Sequence, residues 1–149
     1  KSGVLVVGMD SLLTQLARCC KPAPPDEIRG FVTRGKGVSI HRGNCPNFRE
    51  LVSRSPERVI DVQWATGSAN LPAFYPVDIA VEAVDRQGLL RDISEVFSKE
   101  SMNVIGVQTS TVKGIAWMTF TVEVTHSGRL AHVLSVVGRI AGVRHARRQ

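Results

Sequence analysis

Three cysteines and one histidine are the side chains best suited to ligand chemistry: the adjacent Cys19-Cys20, and His41 with Cys45. His41 and Cys45 are separated by three residues, half of a zinc-finger ligand spacing, in which thiolate and imidazole donors hold a tetrahedral ion. The Cys19-Cys20 half departs from the usual gap of two to four residues. Adjacent side chains on a strand point to opposite faces, so both can ligate only from a tight turn. Pro22, Pro24 and Pro25, directly downstream, favour such a turn. Spacing alone leaves two readings open: a metal site, or a surface thiol, a buried thiol and an unrelated histidine. An odd number of cysteines argues against a secreted disulfide framework and fits reduced thiols or a metal.

No nucleophile–base pair, paired-carboxylate site or phosphate loop is visible, so the remaining candidates concern binding. Arg34, Lys36, Arg42 and Arg49 fall in one Gly-rich hairpin and the helix after it. They suit phosphate contacts, or simply form a solvated face. In Asp85-Arg86-Gln87-Gly88-Leu89-Leu90, Gly88 permits a sharp strand-to-helix turn whose free N–H groups can receive a carboxylate. The plainer reading is that Gly88 shapes the turn and Asp85 caps it. Lys113 to Phe120 partly matches an RNA-recognition signature, with Trp117 able to stack on a base or to serve protein packing. The packing role is favoured, because the first strand of that half offers Asp78 and Glu82 on the same face and no aromatic. His126, His132 and His145 lack motif context.

The elements that must position these groups divide at Ala65 to Pro72, a small, polar, proline-containing stretch. The expected organisation is residues 1–66, a linker at 67–76, and residues 77–149. In the first part Val4 to Val7 reads as a strand. Asp10 can cap a helix from Ser11 to Ala17, with Leu12, Leu13, Leu16 and Ala17 on one face. Ile28 to Thr33 and Val38 to His41 flank a hairpin turn, Pro46 opens a helix capped by Asn44 or Cys45, and Arg58 to Trp64 is a last strand. In the second part Val77, Ile79, Val81 and Ala83 alternate with polar residues. Leu89 to Phe97 is helical, with Glu95 and Lys99 paired. Val104 to Thr111 and Ile115 to Val124 pair across Lys113-Gly114, a helix follows from a Ser127 cap, and Val143 to Arg147 closes the order βαββαβ. The fold class expected is α+β: a short antiparallel sheet with helices, then a ferredoxin-like domain.

Composition is that of an ordinary globular chain. The longest apolar run near the start, Val4-Leu5-Val6-Val7, is too short for a signal peptide or a membrane span, so no membrane partner and a cytoplasmic location are expected. A start at Lys1 that leads straight into a strand reads as a piece of something longer. Net charge is +6. Residues 1–66 hold ten Lys/Arg against six Asp/Glu, a net +4, and residues 67–149 hold nine against seven, a net +2. The bias favours an anionic partner such as RNA.

The stretch from Cys19-Cys20-Lys21-Pro22-Ala23-Pro24-Pro25-Asp26 through Ile28-Arg29-Gly30, then Thr33, Gly35, Gly37, Ile40-His41-Arg42, Cys45 and Asn47, resembles a known pattern. It is similar to the conserved-cysteine (zinc-finger) domain of long RelA/SpoT-type stringent-response proteins, which precedes a C-terminal ACT domain in that family. The loop around Gly88 resembles the first loop of ACT domains, with Asn103 and Gly106 as neighbours. The family usually has Gly where Pro25 stands, so that turn must differ locally. The resemblance implies a non-catalytic regulatory fragment whose parent makes or degrades (p)ppGpp. It implies a Zn2+ site at Cys19, Cys20, His41 and Cys45. Contact with large-subunit ribosomal RNA and uncharged tRNA would use Arg34, Lys36, Arg42, Arg49 and Trp117. Also implied are feedback on the catalytic domains of the same protein and homodimerisation through the ACT domain. The alternatives are an amino-acid sensor using Asp85, Gly88, Leu89, Asn103 and Gly106, or a pure dimerisation module.

Overall fold

In the computed structural model, residues 3–6, 13–65 and 74–149 are described. The chain divides into two compact units, Lys1–Tyr75 and Pro76–Gln149. Among the described residues, no helix is long and apolar enough to cross a membrane.

The first unit contains β1 (Val4–Val6), β2 (Thr14–Leu16), β3 (Ile28–Val32), β4 (Val38–Arg42), α1 (Pro46–Arg54), a 3-10 turn (Pro56–Arg58), β5 (Val59–Ile60) and β6 (Val62–Trp64). Strands run in the order β2-β4-β3-β5, and β1 pairs separately with β6. The β3–β4 hairpin is antiparallel, with Gly30 opposite Ile40 and Phe31 opposite Ser39. Alternation along β4 sends Val38 and Ile40 to one face and Ser39 and His41 to the other. The first face packs on Val6 and Ile28 with Leu16, Ile60, Val62 and Trp64. The other cluster is Cys20, Phe31, Cys45 and Phe48, flanked by Ala17, Leu51, Val52 and Val59. Cys45 is the N-cap of α1, and Pro46, which lacks an N–H, begins the helix where none is needed.

Residues expected to be helical up to Ala17 are instead extended. Thr14–Leu16 pairs in parallel with β4, Thr14 opposite Val38 and Leu16 opposite Ile40. A seven-residue helix is costly to nucleate, whereas the open side of β4 offers ladder hydrogen bonds at once. Leu13, expected on the apolar face, is exposed. The Asp10 cap, Ser11, Leu12 and Val7 lie outside the described residues.

The second unit contains β7 (Tyr75–Val84), α2 (Leu89–Lys99), β8 (Asn103–Val112), β9 (Ile115–Val124), a 3-10 turn (Ser127–Arg129), α3 (Leu130–Gly138) and β10 (Val143–Arg148). The sheet order β10-β7-β9-β8 completes the ferredoxin-like βαββαβ arrangement. Helix residues Leu89, Ile93, Phe97, Leu130, Val133 and Val137 are buried, as are Val77, Ile79 and Val81 of β7 and Phe120 and Val122 of β9. The Glu95–Lys99 pair forms, at 3.8 Å. Strand β7 begins at Tyr75, so the segment expected as linker ends earlier than residue 76; residues 66–73 lie outside the description. The cap expected of Ser127 is made by His126, whose Nδ1 accepts from the Gly128 N–H at 3.1 Å, because a 3-10 turn precedes α3 and takes Ser127 into its first position. Arg86 ties down the loop before α2. It donates to the Ala141 carbonyl at 2.9 Å and to Asp92 at 2.8 Å, and that bond holds the Asp92 carboxyl below the usual carboxylate range.

The hairpin turn rests on Gly35 and Gly37, both in the left-handed region at φ +80° and +78°. A β-carbon at Gly35 meets open space, whereas one at Gly37 would collide with the Leu13 carbonyl, the group that accepts the Val38 N–H. Gly35→Ala should therefore cost only the left-handed backbone term, about 1 kcal/mol. Gly37→Ala should cost about 1–3 kcal/mol more by also displacing β2. Denaturant midpoints and amide exchange across β2 and β4 will check this, and equal destabilisation by the two variants would contradict it.

Candidate metal centre

Cys19 and Cys20 lie in a turn closed by the Lys21 N–H donating to the Ala17 carbonyl, with Lys21 at φ +45°. The Ala17 N–H donates to Ile40, which anchors the turn beside β4. A turn, unlike a strand, lets neighbouring side chains converge. His41 projects from β4. The chain then folds back through the Cys45 N–H bond to the Arg42 carbonyl, at 3.0 Å, and starts α1. The result gathers the donor atoms of Cys19, Cys20, His41 and Cys45 within 4.8 Å of one another.

Cys19 Sγ lies 3.6 Å from Cys45 Sγ and 3.5 Å from His41 Nδ1, and Cys20 Sγ lies 4.0 Å from the same nitrogen. A tetrahedral ion with metal–sulfur bonds of ~2.3 Å has ligand–ligand edges of about 3.8 Å. The separations already match such an edge, and the donors, three sulfurs and one nitrogen, suit a borderline-soft ion. Cys20, His41 and Cys45 are buried and Cys19 is exposed.

Each donor sits in a shaped electrostatic setting. Burial pushes the His41 imidazole below its ordinary value, so it stays neutral and keeps a lone pair for a ligand. Burial raises the Cys19 thiol and pushes Cys20 up to about 12, although the Arg42 N–H donates to Cys20 Sγ at 3.3 Å and favours the thiolate. Burial also opposes ionisation of Cys45. There, backbone N–H groups of Phe48 and Asn47 and the neighbouring thiols prevail, and its value falls. These amides open α1, where the helix dipole adds to the effect. The Asn47 side chain serves Cys19 in the same way. A divalent ion entering here would displace thiol protons.

The four basic candidates do not form one patch. Arg34 and Lys36 are exposed at the hairpin tip, and the β4 stretch from Val38 to His41 separates them from the histidine by about 10 Å of strand. Arg42 belongs to the sulfur site, its guanidinium donating to the Cys20 carbonyl at 3.2 Å. Arg49 is exposed on α1. Sequence reasoning passed over Arg18, which lines a groove of about 910 Å³ with Gln15, Lys36 and Ser39. Its link to Lys36 depends on β2, which was read as helix. Ser39 was missed too, although its spacing of two from His41 on one strand signals a shared face.

In the second unit, Trp117 is exposed on the sheet face away from the helices, above a trough of about 520 Å³ bordered by Glu82, Thr119, His145 and Arg147. Gly88, at φ +81°, is the N-cap of α2. Asp85 is exposed, and its N–H donates to Gly114. Leu89 is a core residue, Asn103 donates to Glu123 at 2.9 Å, and Gly106 sits at an irregularity in the β8–β9 ladder. Gly88, Leu89 and Asn103 therefore have structural tasks.

Thiol reactivity follows from this geometry. In metal-free protein at neutral pH, iodoacetamide should alkylate exposed Cys19 at least roughly tenfold faster than buried, protonated Cys20. Peptide mass spectrometry at early time points resolves the two, and equal rates would contradict the burial assigned to Cys20.

The RelA/SpoT RIS domain family matches residues 4–65, and the ACT domain family matches residues 72–148. A GTP pyrophosphokinase of Escherichia coli K12 is 40% identical over 147 residues, covering 97% of this chain and 19% of that protein. One from Streptomyces coelicolor is 44% identical over 143 residues, covering 95% and 16%. The chain thus spans less than a fifth of the length of these relatives. The solution structure of the ACT domain from a Chlorobium tepidum GTP pyrophosphokinase aligns over 52% of this chain and 89% of its own, with TM-score 0.46 and 19% identity.

Proposed function

Because the chain belongs to the RelA/SpoT family through its RIS and ACT domains, a regulatory part of a stringent-response protein, we propose that it acts without catalysis of its own. In this reading it binds structured RNA of the ribosome and uncharged tRNA and reports to the catalytic domains of the same protein. Zn2+ is the ion we assign to Cys19, Cys20, His41 and Cys45, on the strength of three sulfurs and one nitrogen at tetrahedral spacing. The ion would hold the turn, β4 and α1 together.

The observation that carries the RNA reading is the exposed Gly-rich tip presenting Arg34 and Lys36, with Lys36 and Arg18 lining one groove. A backbone without β-carbons lets a phosphate approach closely, and the cations contribute charge without reading sequence. Titration of ribosomes or ribosomal RNA fragments at several salt concentrations is the test. Arg34→Ala and Lys36→Ala should each weaken binding and lower the salt slope by roughly 0.7–0.9. Trp117→Ala should cost about 1–3 kcal/mol with little change in slope if the indole stacks on a base, and nothing if it packs on protein. Affinity indifferent to Arg18, Arg34 and Lys36 would remove the basis for this reading.

A second role, pairing of two copies through the ACT unit, is favoured by the edge strand β8. Asn103–Val112 holds no charged residue and no proline, and Ile105, Val107 and Val112 are exposed. It therefore lacks the usual protection against edge-to-edge pairing. Light scattering at high concentration should give a dimer mass, reduced to the monomer by Val107→Lys. A monomeric wild type would rule the pairing out.

A further inference from the structure

We infer that Ser39 is the positioning residue that selects which nitrogen of His41 faces the ion; this rests on the metal reading above. An imidazole has two nitrogens, and a neutral ring offers a lone pair on only one of them. His41 Nδ1 points into the sulfur cluster, 3.5 Å from Cys19 and 4.0 Å from Cys20. The opposite nitrogen, Nε2, lies 3.0 Å from Ser39 Oγ. Ser39 in turn lies 3.4 Å from the Phe31 carbonyl, which can only accept, so the hydroxyl proton goes there and the oxygen lone pair faces His41. The Nε2 proton then has its acceptor and the Nδ1 lone pair is turned toward the ion.

The placement follows from the strand. Ser39 and His41 are two residues apart on one face of β4, and Phe31 is the antiparallel partner of Ser39. The chain Phe31 carbonyl, Ser39 hydroxyl, His41 imidazole thus runs along the sheet and ends at the ion. It completes a pattern in which every donor has an outer partner: the Arg42 amide for Cys20, the Phe48 and Asn47 amides for Cys45, and the Asn47 side chain for Cys19. Burial of His41 strengthens the dependence, because Ser39 is a hydrogen-bond partner of Nε2. Ser39 also lines the groove that holds Arg18 and Lys36.

The experiment uses the whole chain loaded with Co2+, then displaced by Zn2+ under chelator competition. Wild type should show the absorption of tetrahedral cobalt with sulfur ligands. Ser39→Ala should lower the affinity by roughly 10–100-fold, and Ser39→Thr, which keeps the hydroxyl, should recover most of it. Independently of any variant, nitrogen NMR of the zinc-loaded wild type should show His41 protonated at Nε2 and metal-bound at Nδ1. A wild type that binds no cobalt defeats the metal reading itself. Metal binding with an unchanged affinity in Ser39→Ala, or coordination through Nε2, would falsify the role of Ser39 while leaving the metal reading intact.

Discussion

An imidazole, or a thiol once ionised, is poor material for a protein interior unless something satisfies it, yet Cys20, His41 and Cys45 are only 3–7% exposed. They stand where a larger domain would put leucines. Two of the four buried residues of the hydrophobic cluster on this side of the first sheet are cysteines, and buried His41 lies against Phe48 with ring centroids 5.5 Å apart. The sheet thus divides an already small core into an ordinary apolar half, built on Val38 and Ile40, and a half whose cohesion depends on the state of its thiols. Protonated, they are small hydrophobes with weak hydrogen bonds. Ionised without a counter-charge, they would repel one another at 3.6 Å. An ion bound there would resolve that conflict and turn the polar half into the tighter one.

The ACT unit faces no such dilemma. Phe97 and Phe120 pack with centroids 5.3 Å apart among aliphatic residues contributed by both helices and the sheet. Its exposed features lie at the margins: the edge strand β8, and the open sheet face with Trp117. One chain therefore carries two different solutions to folding a short sequence. One unit gathers four potential metal donors into its small core, and the other relies on close apolar packing of a layered α+β sandwich.

Most of this was legible from local pattern. Alternation in Val77 to Ala83 and the helical spacing of Leu89, Ile93 and Phe97 placed the ACT core, because long amphipathic elements announce their period. Pro46 gave the start of α1. Residues 14–17 misled because four apolar positions in seven satisfy a helical template, while the deciding partner, the open side of β4, is distant in sequence. The four ligand types were visible at once, and the turn needed to join Cys19 to Cys20 was anticipated from the prolines. The separation of Arg42 from Arg34 and Lys36 was hidden, since sequence proximity around a hairpin says nothing of which end of the strand a side chain occupies. Ser39 looked like any polar strand residue until its carbonyl partner on Phe31 was known.

The ligand pairs are far apart along the backbone: Cys20 and His41 are separated by 21 positions, and Cys19 and Cys45 by 26. Considered as a polymer, a single ion bound at that point would tie a loop containing β3 and the whole hairpin. Tying off a segment of this length removes unfolded conformations worth about 3 kcal/mol in the chain-entropy account, as a disulfide of equal span would. Unlike a disulfide, such a knot would be reversible by a change in metal supply and would need no oxidant. The hairpin tip would then be a tethered excursion whose reach is fixed by the knot, however little its own residues touch the sulfur site.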